Sequence, residues 1–138
     1  MPPSLILYPV GALAALTFLV LLVVPFRRFR AAFARKVTAE DFRYGESNRV
    51  PAEVSIPNRN YMNLLEQPML FYVVCLMYFL TGRVDMSALV LAWSYVGLRA
   101  LHSLVHLTYN KVPHRLTVFA ASAVVLALLW VRFFATLS

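Results

Sequence analysis

Arg59, Asn63 and Glu66 stand at i, i+4 and i+7, so a helix through them carries a guanidinium, an amide and a carboxylate on one face across two turns. Arg99, His102 and His106 repeat the device at i, i+3 and i+7, Asn110 continues that row, and Arg115 follows it. Guanidiniums hold carboxylates and phosphates through charge-assisted hydrogen bonds, a carboxylate holds an ammonium, and an imidazole can donate or accept. Arg59, Arg99 and Arg115 against the single carboxylate of Glu66 leave an excess of positive charge at one depth, which invites an anionic ligand.

The same residues admit a purely structural role. Glu66 would then pair with Arg99 or Arg59, the histidines would bond to carbonyls, and the network would only fix helix register. On that reading Glu66→Gln leaves arginines underpaired and lowers stability in detergent. His102 and His106 have the spacing of a metal-binding pair, but no cysteine or acidic residue lies nearby in sequence to complete a shell, so no metal is expected.

The elements that must position these side chains are membrane spans. The chain has 138 residues, 61% hydrophobic and 14% charged, with too little polar surface for a soluble protein of this size. Its mean hydropathy is +0.70. Four stretches, about 5–26, 63–80, 86–107 and 116–137, are long enough for a hydrocarbon core of about 30 Å, so an all-α, integral membrane four-helix bundle forming one domain over residues 1–138 is expected. The first stretch lacks a preceding basic region and a small-residue cleavage site, which predicts a retained span and not a signal peptide.

Arg27, Arg28, Arg30, Arg35, Lys36, Arg43, Arg49 and Arg59 all follow the first span, and no charged side chain precedes it. The positive-inside bias therefore places the long loop, about 27–58, in the cytoplasm and both termini outside. The net charge of +7 lies mostly beside spans, where anionic headgroups attract it, and nucleic acid is not an expected partner. Cys75 is the only cysteine and lies mid-span, so it can form no internal disulfide. No CxxC, HExxH, P-loop or GxSxG pattern is present.

Within the loop, residues 27–36 alternate basic side chains with Phe29 and Phe33 and predict a helical continuation at the membrane interface. Thr38-Ala39-Glu40-Asp41 predicts a capped helix start, and the stretch from Gly45 to Pro57 reads as a polar cover over the bundle mouth. Pro68 removes the donor that would meet the carbonyl of Leu64 and predicts a local opening.

The segment Arg59-Asn60-Tyr61-Met62-Asn63-Leu64-Leu65-Glu66-Gln67-Pro68 resembles the RxxxNxxE signature of the membrane-associated proteins in eicosanoid and glutathione metabolism (MAPEG) family. Arg99 to His106, then Asn110 and Arg115, is similar to that family's second motif region. Phe33 with Glu40-Asp41-Phe42-Arg43-Tyr44-Gly45 is similar to its first cytoplasmic loop. The likeness covers nearly the whole chain and looks like a divergent bacterial branch, which implies an inner-membrane location.

The resemblance implies a homotrimer, membrane lipid as surroundings, and glutathione as thiol cosubstrate bound between neighbouring subunits. It implies that Arg59 and Arg115, with one of Arg27, Arg28 or Arg30 from the first span (Arg28 is the candidate), hold the two carboxylates. Asn63 and Glu66 suit the ammonium or peptide groups, and Arg99 and His102 complete the binding set. Arg115 is the residue expected to stabilise the thiolate, with His106 as its hydrogen-bonding neighbour, for attack on an apolar electrophile or a lipid hydroperoxide.

Three positions depart from the family's glutathione users. His106 stands where several have tyrosine, Leu116 where one branch has serine, and Met62 where that branch has a further arginine. Tyr109 lies a turn beyond His106. These departures support an alternative, a noncatalytic lipid-binding or adaptor protein that keeps the fold.

Overall fold

The computed structural model describes all residues from Met1 to Ser138 and is entirely helical. The chain opens with a 3-10 turn at Pro3–Ile6 and continues as α1 (Leu7–Phe33), a second 3-10 turn at Ala39–Phe42, α2 (Ala52–Thr81), α3 (Met86–Leu107) and α4 (Val112–Ala135). Each of the four α-helices is long and apolar enough to cross a membrane.

Sequence chemistry sets where the helices stop. Gly82 takes φ 66, the left-handed conformation that suits a residue without Cβ, and the Arg83 N–H then closes on the Tyr78 carbonyl at 3.2 Å. Asp85 opens α3 by accepting from the Ala88 N–H at 2.8 Å. Its other oxygen accepts from Arg132 of α4, and that guanidinium, with the Ala88 N–H, holds the Asp85 carboxyl below its usual range.

α1 packs chiefly on α2, and α3 on α4. The core runs along the seam through Leu13, Leu64, Phe71, Tyr95, Leu129 and Phe133, and Phe71 stacks on Tyr95 with ring centroids 4.7 Å apart. Large apolar side chains such as Phe18, Leu22, Leu80, Leu104 and Val131 face outward, the pattern of a bundle solvated by hydrocarbon on its perimeter.

The long connection is shorter than its composition predicts. α1 continues through Phe33, and α2 begins at Ala52, well before the apolar run starts at Asn63. Pro51 stands at the N-cap, where its missing N–H costs the helix nothing, and packing outweighs Pro57, which is buried inside α2 while fully buried Val54 packs with Ala31 and Val37. α2 also runs unbroken through Pro68, which cannot donate to the Leu64 carbonyl.

Asp41 organises the remaining loop. Its Oδ2 accepts from the Thr38 N–H at 2.8 Å and its Oδ1 from the Ser47 hydroxyl at 2.8 Å. These two bonds, the Thr38 one first, hold its carboxyl below the ordinary range.

Candidate functional site

The N-terminal half of α2, the C-terminal half of α3 and the start of α4 converge at the end of the bundle that carries the long loop. They enclose a cleft of about 420 Å³, within the size range of small-molecule sites. Arg59, Asn63 and Glu66 of α2, His102 and His106 of α3 and Arg115 of α4 all line it. Six of the eight residues picked out in the sequence thus come together, and Met62, Val112, Leu116 and Phe119 supply the apolar part of the wall.

The cleft's charges are not spent on one another. Four ion pairs occur in the chain, and none involves Arg59, Glu66 or Arg115. Glu66 and Arg59 are exposed on this chain and Asn63 is half-buried. The pairing of Glu66 with Arg99 or Arg59 that a purely structural role calls for is therefore absent: Glu66 and Arg59 flank an open cleft, and Arg99 turns away from both.

Arg99 lies behind the cleft wall and is fully buried. Its Nη1 donates to Gln67 Oε1 at 3.3 Å and its Nη2 to the Asn63 carbonyl at 3.1 Å, while its guanidinium sits 5.7 Å from the Phe119 ring centroid. No carboxylate neutralises it, so it adds positive potential to the site from behind. By holding the Asn63 carbonyl it also fixes the backbone of a cleft residue.

Gln67 is the functional neighbour that the sequence reading missed. Its Oε1 accepts from Tyr95 at 3.3 Å as well as from Arg99, and the Ser122 hydroxyl lies 3.3 Å away while donating to the Phe119 carbonyl at 2.7 Å. One amide thereby joins α2, α3 and α4 directly behind the cleft. Asn60, fully buried, accepts from the Ser103 hydroxyl at 3.2 Å. Asn60 and Gln67 form an i, i+7 pair one position over from Arg59 and Glu66, and that second polar row was the available signal.

His102 and His106 are each 2% exposed, yet Nδ1 of each lacks a hydrogen-bond partner. Their rings lie 5.8 Å apart at 69°, edge to face. Both residues line the cleft, but these Nδ1 atoms are shut away from it, so a ligand would reach the rings on their other side. The structure gathers no group of three or more His, Cys, Asp or Glu side chains that could hold a metal ion.

Arg115, half-buried, donates from Nη1 to Asn110 Oδ1 at 2.9 Å. Arg28 lies elsewhere, on α1, where it stacks 4.6 Å over Phe42 and meets Glu46 at 3.5 Å. Tyr109 is exposed and its hydroxyl lies 3.1 Å from His114 Nδ1, outside the cleft.

Two guanidiniums, one carboxylate and two imidazoles thus stand around a partly apolar wall, so the cleft offers charge of both signs beside an apolar surface. In the comparisons with known proteins, the family model described as MAPEG family matches residues 6–135. No curated protein and no solved structure matches the chain.

Proposed function

The chain belongs to the MAPEG family and is an integral, multi-pass membrane protein, and from that premise we propose that it is a membrane-bound glutathione-dependent transferase or peroxidase. The observation that carries the reading is the cleft itself, in which Arg59, Arg115 and Glu66 stand free of ion pairs beside buried imidazoles.

Glutathione would supply the nucleophilic thiol. Arg59 and Arg115 would hold its carboxylates, Glu66 its ammonium, and Asn63 a peptide group. Arg115, with Arg99 adding charge from behind, would raise the thiolate fraction by stabilising the anion. His106 would donate or accept a hydrogen bond beside it through Nε2, and His102 would do the same for the bound tripeptide. Met62, Val112, Leu116 and Phe119 offer an apolar electrophile or a lipid hydroperoxide a path from the bilayer.

The reading includes a homotrimer in which Arg28 of the partner subunit completes the cleft. It also includes cytoplasmic placement of the cleft, with both termini outside a bacterial inner membrane, following the basic loop. A noncatalytic lipid-binding or adaptor role is the second reading, and the specific observation favouring it is that Met62 and Leu116 make part of the cleft wall apolar.

Turnover separates the two. Purified protein is assayed with glutathione and either chlorodinitrobenzene or cumene hydroperoxide, beside Arg115→Ala. The proposal expects glutathione-dependent turnover that falls by about 100-fold or more in the variant, the size of effect seen when one charge-stabilising group is removed. Equal background rates in both proteins would favour the adaptor.

A further inference from the structure

A second charged cavity lies where the end of α1 meets the start of α2, away from the cleft between α2, α3 and α4. It measures about 440 Å³ and is lined by Arg27, Arg30 and Ala31 of α1, Ala34 and Lys36 just beyond it, and Glu53 of α2. A neighbouring cavity of about 280 Å³ shares Arg27 and Glu53 and reaches Leu107 and Thr108 at the end of α3. Three cations face one carboxylate. Lys36 already pairs with Glu53 at 3.1 Å, and neither Arg27 nor Arg30 takes part in any ion pair.

The chain bends sharply to build this wall. Arg35 takes φ 57, a left-handed conformation that costs a residue with Cβ about 1–2 kcal/mol. The turn brings the Lys36 N–H onto the Ala31 carbonyl at 2.9 Å and its ammonium across to Glu53. Small Ala31 and Ala34 leave the room between the cationic side chains. The Arg35 conformation is the usual left-handed turn that closes a helix, and here it sets where Lys36 reaches.

Depth selects the ligand. Arg27 directly follows the apolar run of α1, and exposed Phe26, Phe29 and Phe33 flank the cluster on the same helix. Aromatic rings beside guanidiniums at a span's end lie at the level of lipid headgroups. We propose that the Arg27, Arg30 and Lys36 cavity binds the phosphate group of an anionic phospholipid, whose acyl chains would run down past the exposed phenylalanines. Guanidinium pairs suit a phosphate's oxygens, and a zwitterionic headgroup brings its own ammonium into a site already positive.

The test uses the full-length protein in an uncharged detergent, with melting temperature followed as phosphatidylglycerol, phosphatidylcholine or inorganic phosphate is added. Phosphatidylglycerol is expected to raise it saturably and phosphatidylcholine is not. R27Q/R30Q is expected to weaken the apparent affinity for phosphatidylglycerol by about 30-fold, from the contribution of each basic side chain near an anionic surface. R43Q/R49Q, which removes the same charge from the outer loop, should change it by less than about threefold. E53Q should move affinity the other way, and decides the matter if the double variant fails to fold.

Protection by inorganic phosphate equal to that by phosphatidylglycerol would keep the anion site but overturn the lipid. Equal responses to the two lipids, or equal losses in the two double variants, would show a solvated basic face and overturn the proposal. So would R27Q/R30Q abolishing glutathione binding while leaving phosphatidylglycerol untouched, since these arginines would then belong to the cleft of an adjacent copy.

Discussion

Asn110 holds Arg115 from a left-handed backbone: its φ is 48, its N–H bonds to the Val105 carbonyl at 2.8 Å, and its Oδ1 accepts from Arg115 Nη1 at 2.9 Å. The residue that closes the turn after α3 therefore also holds the guanidinium at the start of α4. Asparagine is one of the few side chains that tolerates this conformation and still offers an acceptor.

Asn110→Gly should separate the two roles. Glycine adopts the same φ without strain, so the melting temperature should hold or rise, while glutathione affinity falls by about fivefold for one lost hydrogen bond. Calorimetry and thermal denaturation of the same preparation check both halves. A parallel loss of stability and affinity would mean that Asn110 serves only the fold.

Gln67→Leu should destabilise the bundle by about 2–3 kcal/mol, because it strips an acceptor from an arginine that is already buried without a carboxylate. Adding Arg99→Met should recover much of that loss, since replacing a buried polar pair by apolar groups is far less costly than breaking it. A denaturation series in detergent on both single variants and the double variant measures the coupling.

Glu66→Gln should leave stability within about 0.5 kcal/mol, because the side chain is exposed and unpaired. Ligand binding should weaken as the ammonium loses its counter-charge. A structural role for Glu66 would show the reverse, a lowered melting temperature with binding intact.

Asp41 gives the long loop an acid limit. Its carboxyl is held below the unfolded value of about 3.9 by the Thr38 N–H and the Ser47 hydroxyl. Its contribution is present in full above the unfolded pKa and is lost as pH falls through the lower folded one. Limited proteolysis of the segment between α1 and α2 should therefore accelerate below about pH 4, and Asp41→Asn should show the faster cleavage already at neutral pH.

The spans and the cleft were legible because both rest on short-range periodicity. Apolar runs of about 20 residues announce membrane helices, and the spacing of Arg59, Asn63 and Glu66 puts them on one face whatever lies opposite. What lies opposite was not legible. Arg99 shares a row with His102 and His106 but lies a turn deeper along α3, where its guanidinium is taken up by Gln67 and the Asn63 carbonyl and does not line the cleft. The extension of α2 back to Ala52 was also hidden, because Pro51, Pro57 and a polar segment read as loop when the burial of Val54 against Ala31 is unknown.

If the cleft binds glutathione through Arg115, binding must depend on that one guanidinium. Calorimetric titration of the purified protein in detergent, with Arg115→Ala alongside, measures this. Saturable binding to the wild-type chain that disappears in the variant is the predicted result. An absence of binding at millimolar glutathione by folded protein, or equal binding by both proteins, would contradict it.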